Sequence, residues 1–583
     1  GALKEKYVSM NLINNAQVHI YDTFVMVIWE NNDCYSIYPY DVLLSWRDLM
    51  LKRSIALLLS STSFNNMGTG YPSTKTIRTV FHWGLCVLEE LGNDGYSVIS
   101  NYESLITGVI LKKYDDFDND MFLSTIMKEI QSTNIPKLMD ATKDMVNDLS
   151  KCSECQIVQC FGLFKVWSYP VVNEEEAMSA LVEYGRCEKK VNQEVMAYLD
   201  ALCRRQFFLS YRQIHNRDPP NSYYIGKKTD HLYKVVEEKW KYDDKSKYYN
   251  LLQWRNVKVR GSLDPIFDVD LGTYMKDRAI SPELHQLWTV YNQVYIAEEV
   301  KSNLGCKVRA GIQRFLAGDI LSAKDLVDYV SKNGADEAWK VVGVTAKEKE
   351  HKPTARLFAM LTLHMKLWFA VTEDCLKKAL FSFFPQQSMD QTSAQASRKK
   401  SKMANIESSD VIKIVMNIDF SKWNTTFRDE NTYLIFLFID EVFNFTNVYT
   451  YTHQFFKSCR IYISSRFCVP SVLSVCTDHS QSIDPDTNDT TWFHGFLGGF
   501  EGQRQKGWTL VTLLLMIYVI EVQAKVINYE LYGQGDNQVL CIIFKKKALR
   551  FDVHDYKNQP IRTYQDQIKQ KIEYLKENLE RSC

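Results

Sequence analysis

Between Val411 and Asp419 apolar and polar positions alternate: Ile412, Ile414, Met416 and Ile418 share one face, while Lys413, Asn417 and Asp419 fall on the other. A period of two marks a half-buried strand. The pattern therefore predicts a strand ending in a carboxylate turned away from its core. A second strand-like run, "KVINYELYGQGDNQVLCIIF", is interrupted by Gly535, Asp536 and Asn537, the residue types that a tight hairpin turn demands. Two strands are expected there, with Asp536 where the chain leaves the packing. Between these strand signals lies "LVTLLLMIYVI", Leu510 to Ile520. It is shorter than the roughly 20 residues of a membrane-spanning helix, so a buried core helix and no transmembrane segment are expected.

Upstream, Asn101 to Tyr114 and the long stretch from Met178 carry helical spacing, so residues 1–340 are expected to be mostly helical. Pro385 to Ser409, rich in Gln, Ser and Ala with Arg398, Lys399, Lys400 and Lys402 inside it, reads as a mobile loop. Strand, helices and hairpin after it predict an α+β domain with a short antiparallel sheet. Three regions follow: 1–340, a basic segment with a helix and loop over 341–404, and a sheet domain over 405–583.

Composition adds little beyond class. The 583 residues are 45% hydrophobic and 24% charged, as in folded globular chains. Lys plus Arg and Asp plus Glu both total 70, so a nucleic-acid partner must be held by local basic surfaces. The CxxC of Cys152 and Cys155 has no second pair at finger distance, which argues against a zinc site.

The candidate chemistry rests on the two acids. If Asp419 and Asp536 lie on neighbouring strands, their carboxylates at ~4 Å and an effective dielectric of ~20 repel by about 4 kcal/mol. Two Mg²⁺ ions would offset that repulsion and serve phosphoryl transfer. Gly498, Gly499 and Gly502 precede the apolar helix and permit close backbone approach to a ligand. Gln505, Lys506 and Trp508 offer donors and a stacking surface for a nucleotide. Lys347, Lys349, Lys352 and Arg356 gather before another apolar helix, with Glu348 and Glu350 among them; they form either a compensated surface run or a cationic wall for a triphosphate.

In order, the chain reads "KEKEHKPTARLF", "IDFSKWN", "GGFEGQRQKGW" and "GQGDNQV". This series resembles motifs F, A, B and C of the RNA-dependent RNA polymerase in the large (L) protein of non-segmented negative-strand RNA viruses. The GDNQ tetrapeptide sets that order apart from the GDD of positive-strand polymerases, and "EGQRQKGW" with "GQGDNQV" resembles the rhabdovirus version most, with chuvirus-type viruses the other group it fits. "FGLFKVWSYP" is similar to a family stretch that usually reads HWGHP, keeping Trp167 and Pro170 without the histidines.

The resemblance implies a right-hand polymerase fold of fingers and palm. Asp419 and Asp536 would hold two Mg²⁺ ions, or Mn²⁺, with Asn537 beside them and the Phe420 carbonyl as an extra ligand. Trp423 would shape the floor under the incoming nucleotide. Gly499, Glu501 and Gln505 would line the template and ribose side, while Lys347, Lys349, Lys352 and Arg356 would face the triphosphate. Lys349 stands where the family usually carries Arg, which loses a bidentate fork.

The implied partners are single-stranded RNA, NTPs, a viral phosphoprotein and a nucleoprotein-coated genome. The implied setting is the virion and host cytoplasm, with the nucleus left open. A start at Gly1 and an end just past motif C lead one to expect a piece of a longer protein, with motifs D and E, the thumb and the capping domains outside it. A reverse-transcriptase palm and a non-enzymatic, RNA-binding remnant of an integrated viral gene remain alternatives from the residues alone.

Overall fold

The computed structural model describes residues 8–12, 16–21, 24–29, 34–65, 70–113, 120–170, 172–242, 250–268, 280–284, 322–347, 350–352, 354, 356–404, 411–464, 492–524, 528–545, 573–574 and 577. The chain mixes helices with small sheets, an α+β composition, and divides into two units, Gly1–Glu174 with Ala346–Arg356, and Glu175–Thr345 with Leu357–Cys583.

The first unit opens on an antiparallel meander of β1 (Val8–Leu12), β2 (Ala16–Ile20), β3 (Phe24–Trp29) and β4 (Cys34–Pro39). The expectation of a mostly helical start misses this sheet. Its signal was available in runs such as "FVMVIW", whose β-branched and aromatic residues suit a pleated surface. Helices Thr74–Leu91, Tyr102–Leu111 and Pro136–Ser150 then enclose a core that includes Trp83, Tyr102 and Trp167. The Trp83 indole donates to Thr142 Oγ1 at 2.9 Å, and its ring meets Trp167 edge-on. Gly84 lies flush against Trp167, since a Cβ there would sit 1.9 Å from the indole nitrogen. Trp167 is thus explained by packing. "CSEC" is a helix start: Ser153 and Gln156 cap Glu154–Cys160 reciprocally.

The second unit holds β5 (Tyr223–Tyr224), β6 (Val257–Lys258), β7 (Ile280–Ser281), β8 (Val341–Ala346), β9 (Leu357–Thr362), β10 (Val411–Asp419), β11 (Arg460–Ile463), β12 (Trp492–His494), β13 (Tyr529–Gln534) and β14 (Asn537–Lys545). They form a β5–β6 pair, a five-stranded sheet in the order β12-β11-β8-β9-β7, and a three-stranded antiparallel sheet in the order β10-β14-β13. Helices Gln193–His215, Leu363–Cys375, Asp429–Phe443 and Gln505–Ile517 supply its core. The apolar run at Leu510 lies in a helix continuing to Gln523, long and apolar enough to cross a membrane by length and composition, yet mostly buried by the protein's own side chains.

One loop expectation is corrected. Ser393–Ala404 is a helix carrying Arg398, Lys399, Lys400 and Lys402. Thr392 and Gln395 cap it reciprocally: Gln395 N donates to Thr392 Oγ1 at 3.3 Å and Thr392 N to Gln395 Oε1 at 2.8 Å. A T-x-x-Q start followed by Ala, Arg and Lys favours helix over loop. Lys399 Nζ reaches the Pro385 carbonyl at 3.0 Å and lies over the Tyr532 ring.

Candidate active site

The end of the three-stranded sheet is set by register. Strands β10 and β14 pair from Val411↔Lys545 to Asp419↔Asn537, so the last residue of β10 faces the residue after Asp536. The next amide, Phe420 N, donates to the Asp536 carbonyl at 3.4 Å. Gly535 and Asp536 form the two-residue turn between β13 and β14, with Gln534 opposite Asn537. Gly535 takes φ +63°, as the first central position of a type II′ turn requires. The turn and the end of β10 are therefore neighbours on the backbone.

Asp419 is exposed on the same face as Asn417 and Val415, whereas Ile414, Met416 and Ile418 are partly buried. The alternation read from the sequence is the alternation seen. Asp536 is half-buried, and its Oδ1 accepts from Asn537 Nδ2 at 2.9 Å. Among the described residues neither carboxylate forms an ion pair, so oxygen donors stand at the sheet end without a protein counter-charge. Two carboxylates and nearby backbone carbonyls are the hard donor set that Mg²⁺ accepts while keeping water ligands. Asp419 and Asp536 would hold it, with Phe420 adjoining.

Helix Gln505–Ile517 underlies both acid-bearing segments. Thr509 Oγ1 donates to its own helix at Gln505 O (2.8 Å) and accepts from Gly535 N at 3.1 Å. Thr512 Oγ1 donates to Trp508 O (3.0 Å) and accepts from Trp423 Nε1 at 2.8 Å. Trp423 is buried and packs beneath the turn, with Gly535 facing its ring and the Gln505 amide. Gln538, also buried, braces the same turn through Nε2 to Gly535 O at 2.8 Å. Sequence reasoning missed Thr509, Thr512 and Gln538. Their signal was two hydroxyls three residues apart in an otherwise apolar run.

Two other sequence candidates, Trp508 and Gly499, are buried in packing. Trp508, expected as a nucleotide-stacking surface, is fully buried: it stacks on Phe427 at 4.7 Å and donates to Gln503 O at 2.8 Å. An indole with no exposed surface cannot receive a base, which corrects that expectation. Gly499 is buried and donates to Asn424 O; a Cβ there would come within 2.9 Å of Trp508. Glu501 is partly exposed and Gly502 takes φ +82°. Lys506 turns to Glu373, whose Oε2 accepts the Lys506 amide at 2.6 Å.

Before that helix, Arg504 is wholly buried with φ +54°. Its guanidinium donates to Thr452 Oγ1 (3.0 Å) and Thr372 Oγ1 (2.7 Å), lies 3.8 Å from Glu373, and faces Trp368, Phe369 and Tyr449. Nothing in the order of residues marks Arg504 as the charged residue of "GQRQKGW" that is wholly buried.

The basic segment belongs to the first unit. Lys347 N donates to Arg356 O at 2.8 Å, and Glu350 lies between their side chains, 3.3 Å from Lys347 Nζ and 3.6 Å from Arg356 Nε. Lys352 is exposed. Lys349 lies outside the described residues. Here charge compensation by Glu350, one of the two readings of this run, is part of the local structure. His351 is buried among Tyr96, Phe164 and Tyr169, and burial lowers its pKa to about 4.

In the second unit burial lowers the His453 pKa to about 3, against the opposing hydrogen bond of Nδ1 to Leu497 O at 3.0 Å. Both folded values lie below the ordinary 6.5, so the unfolded chain takes up the proton first. Stability is full above about pH 6.5 and falls as pH drops towards the folded values, at a limiting slope of about 1.4 kcal/mol per pH unit for His453. Thermal midpoints measured from pH 7 to 4 should fall. A His453→Asn variant, whose Nδ2 replaces Nδ1 as donor, should show a shallower fall, and an unchanged slope would count against this account.

A family model described as Mononegavirales RNA dependent RNA polymerase matches residues 3–581. The chain belongs to that family. It is 28% identical over 464 residues to the RNA-directed RNA polymerase L of Maize mosaic virus, covering 78% of this chain and 23% of that one. The RNA-directed RNA polymerase L of Lettuce big-vein associated virus is 27% identical over 514 residues, covering 86% of this chain and 24% of that one. The Large structural protein of Rabies virus (strain PM1503/AVO1) is 24% identical over 488 residues, covering 78% and 21%. The resemblance to rhabdovirus L proteins therefore stands. The chain spans about a quarter of the length of these relatives.

Proposed function

We propose that this chain carries the catalytic centre for RNA-templated RNA synthesis in a viral L protein, with the three-stranded sheet as the palm of a right-hand polymerase. One observation carries the reading: the Asp419↔Asn537 register, closed by Phe420 N to Asp536 O, sets two distant acids side by side at a sheet end. Two Mg²⁺ ions, or Mn²⁺, supply charge neutralisation there when bound. Asp419 and Asp536 would hold them, with the Phe420 carbonyl as a further ligand, and Asn537 holds the Asp536 carboxylate in place. Trp423 supports the floor under the nucleotide from below the turn. Glu501 and Gln505 line the template and ribose side next to Gly499, and Lys347, Lys349, Lys352 and Arg356 bind the triphosphate.

The reaction is attack of a 3′-hydroxyl on the α-phosphate of an NTP, with pyrophosphate leaving. Positioning and electrostatics provide the acceleration. The template is single-stranded RNA drawn from a nucleoprotein-coated genome, with a phosphoprotein as tether, in the virion and host cytoplasm.

Primer extension on an RNA template by the full-length protein with its phosphoprotein tests the reading. Ribonucleotides should be incorporated about 10²-fold or more in preference to deoxyribonucleotides, the discrimination expected where a site hydrogen-bonds the substrate hydroxyl. Preference for deoxyribonucleotides would move the chain to the reverse-transcriptase class. Absence of any templated incorporation would favour a binding remnant.

A further inference from the structure

We propose that Thr509 and Thr512 are positioning residues, and that helix Gln505–Ile517 acts through them as a ruler fixing the spacing of the Asp419 and Asp536 segments. This rests on the proposed metal role of those acids. The two hydroxyls do the same thing one helical turn apart. Each donates to the carbonyl four residues earlier, Gln505 O and Trp508 O, the carbonyl being a stronger acceptor for Thr509 than the Met389 sulfur that also lies within reach at 3.2 Å. Each then has a lone pair to offer outward. Thr509 accepts the amide of Gly535, the residue before Asp536, and Thr512 accepts the indole N–H of Trp423, four residues after Asp419.

Gly535, Trp423, Thr509 and Thr512 are all buried, so neither donor can turn to water if its acceptor is lost. A buried orphan donor costs about 1–3 kcal/mol, enough to make the turn move. Residues three apart on a helix hold their Cβ atoms about 5–6 Å from each other, and this helix is packed on all sides in the core. Its rigidity is therefore passed to both acid-bearing segments. Gly535 faces the Trp423 ring, which a Cβ at position 535 would meet at 3.8 Å, so the two tethered groups are near neighbours and close a triangle of helix, turn and strand end. Among the described residues neither threonine hydrogen-bonds a carboxylate of Asp419 or Asp536, which separates positioning from ligation.

The test uses the full-length protein as wild type, Thr509→Val, Thr509→Ser and Asp536→Ala. Mn²⁺ binding without nucleotide, read by electron paramagnetic resonance of the free ion, is measured beside the Mg²⁺ response of primer extension. Binding lost in Asp536→Ala defines the site. Thr509→Val should bind Mn²⁺ at that site about tenfold more weakly and need about tenfold more Mg²⁺, the factor for roughly 1.4 kcal/mol. Thr509→Ser, which keeps the hydroxyl, should stay within about twofold of wild type on the same scale. Should Thr509→Val fail to fold, Trp423→Phe removes the other tether's donor and answers the same question.

Wild-type Mn²⁺ binding in Thr509→Val, or Thr509→Ser as weak as Thr509→Val, overturns the ruler while leaving the acids' role standing. Undiminished extension by Asp536→Ala overturns the underlying reading, and the ruler with it.

Discussion

Arg504→Met should destabilise the second unit by about 3–5 kcal/mol, the cost of leaving one partner of a buried charge pair uncompensated. The guanidinium is fully buried, bonded to Thr372 and Thr452, 3.8 Å from Glu373, and enclosed by three aromatic rings. Methionine keeps the volume but removes the donor to both hydroxyls, which retain only their own bonds to the Trp368 and Tyr449 carbonyls, and leaves Glu373 with Lys506 as its remaining cationic neighbour. It also keeps the left-handed backbone at position 504 without the contacts that hold it there. Chemical denaturation of the full-length protein, followed by tryptophan fluorescence, should show the loss in the transition of this unit. Arg504→Lys should recover only part, because an ammonium cannot reproduce the planar fork or stack between rings. Arg504→Met combined with Glu373→Gln should be less destabilised than the sum of the single variants. Simple additivity would mean that the ion pair is not the source of the effect.

Asp419→Ala and Asp536→Ala should each slow nucleotide addition by about 10³-fold or more, corresponding to about 4 kcal/mol or more of transition-state stabilisation. The double variant should be little worse than either single one, since groups that act as a unit are strongly non-additive. The backbone register that places the two acids together is held by strand pairing along β10 and β14, so alanine at either position should leave the thermal midpoint near wild type. Single-turnover primer extension by the full-length protein separates the chemical step from RNA binding, which should be unchanged. Multiplying losses in the double variant would show that the two carboxylates work at separate sites.

Much of the local structure could be read directly from residue order. Strand β10 was legible because its alternation needs only neighbours along the chain, and the β13–β14 hairpin because Gly535 and Asp536 supply the turn chemistry themselves. The capped helix at Ser393 was legible too, through Thr392 and Gln395, but a composition rich in Ser and Gln drew attention away from it. The β1–β4 meander went unread because short strands give weak signals beside long helical ones. For Trp508, composition pointed the wrong way: an aromatic at a glycine-rich helix entry suits a nucleotide and suits a core equally.

By itself, the order of residues determined which segments are strand, turn and apolar helix around the site, and, through four ordered motifs, the family. Tertiary structure decided that Asp419 lies opposite Asn537, that Thr509 and Thr512 point at the two acid-bearing segments, and that Arg504 is interior. The physical reason is range. Periodicity and turn preference are properties of a few adjacent residues, whereas strand register and the direction a buried hydroxyl or guanidinium takes depend on partners far away in the chain, whose positions only the packed core fixes.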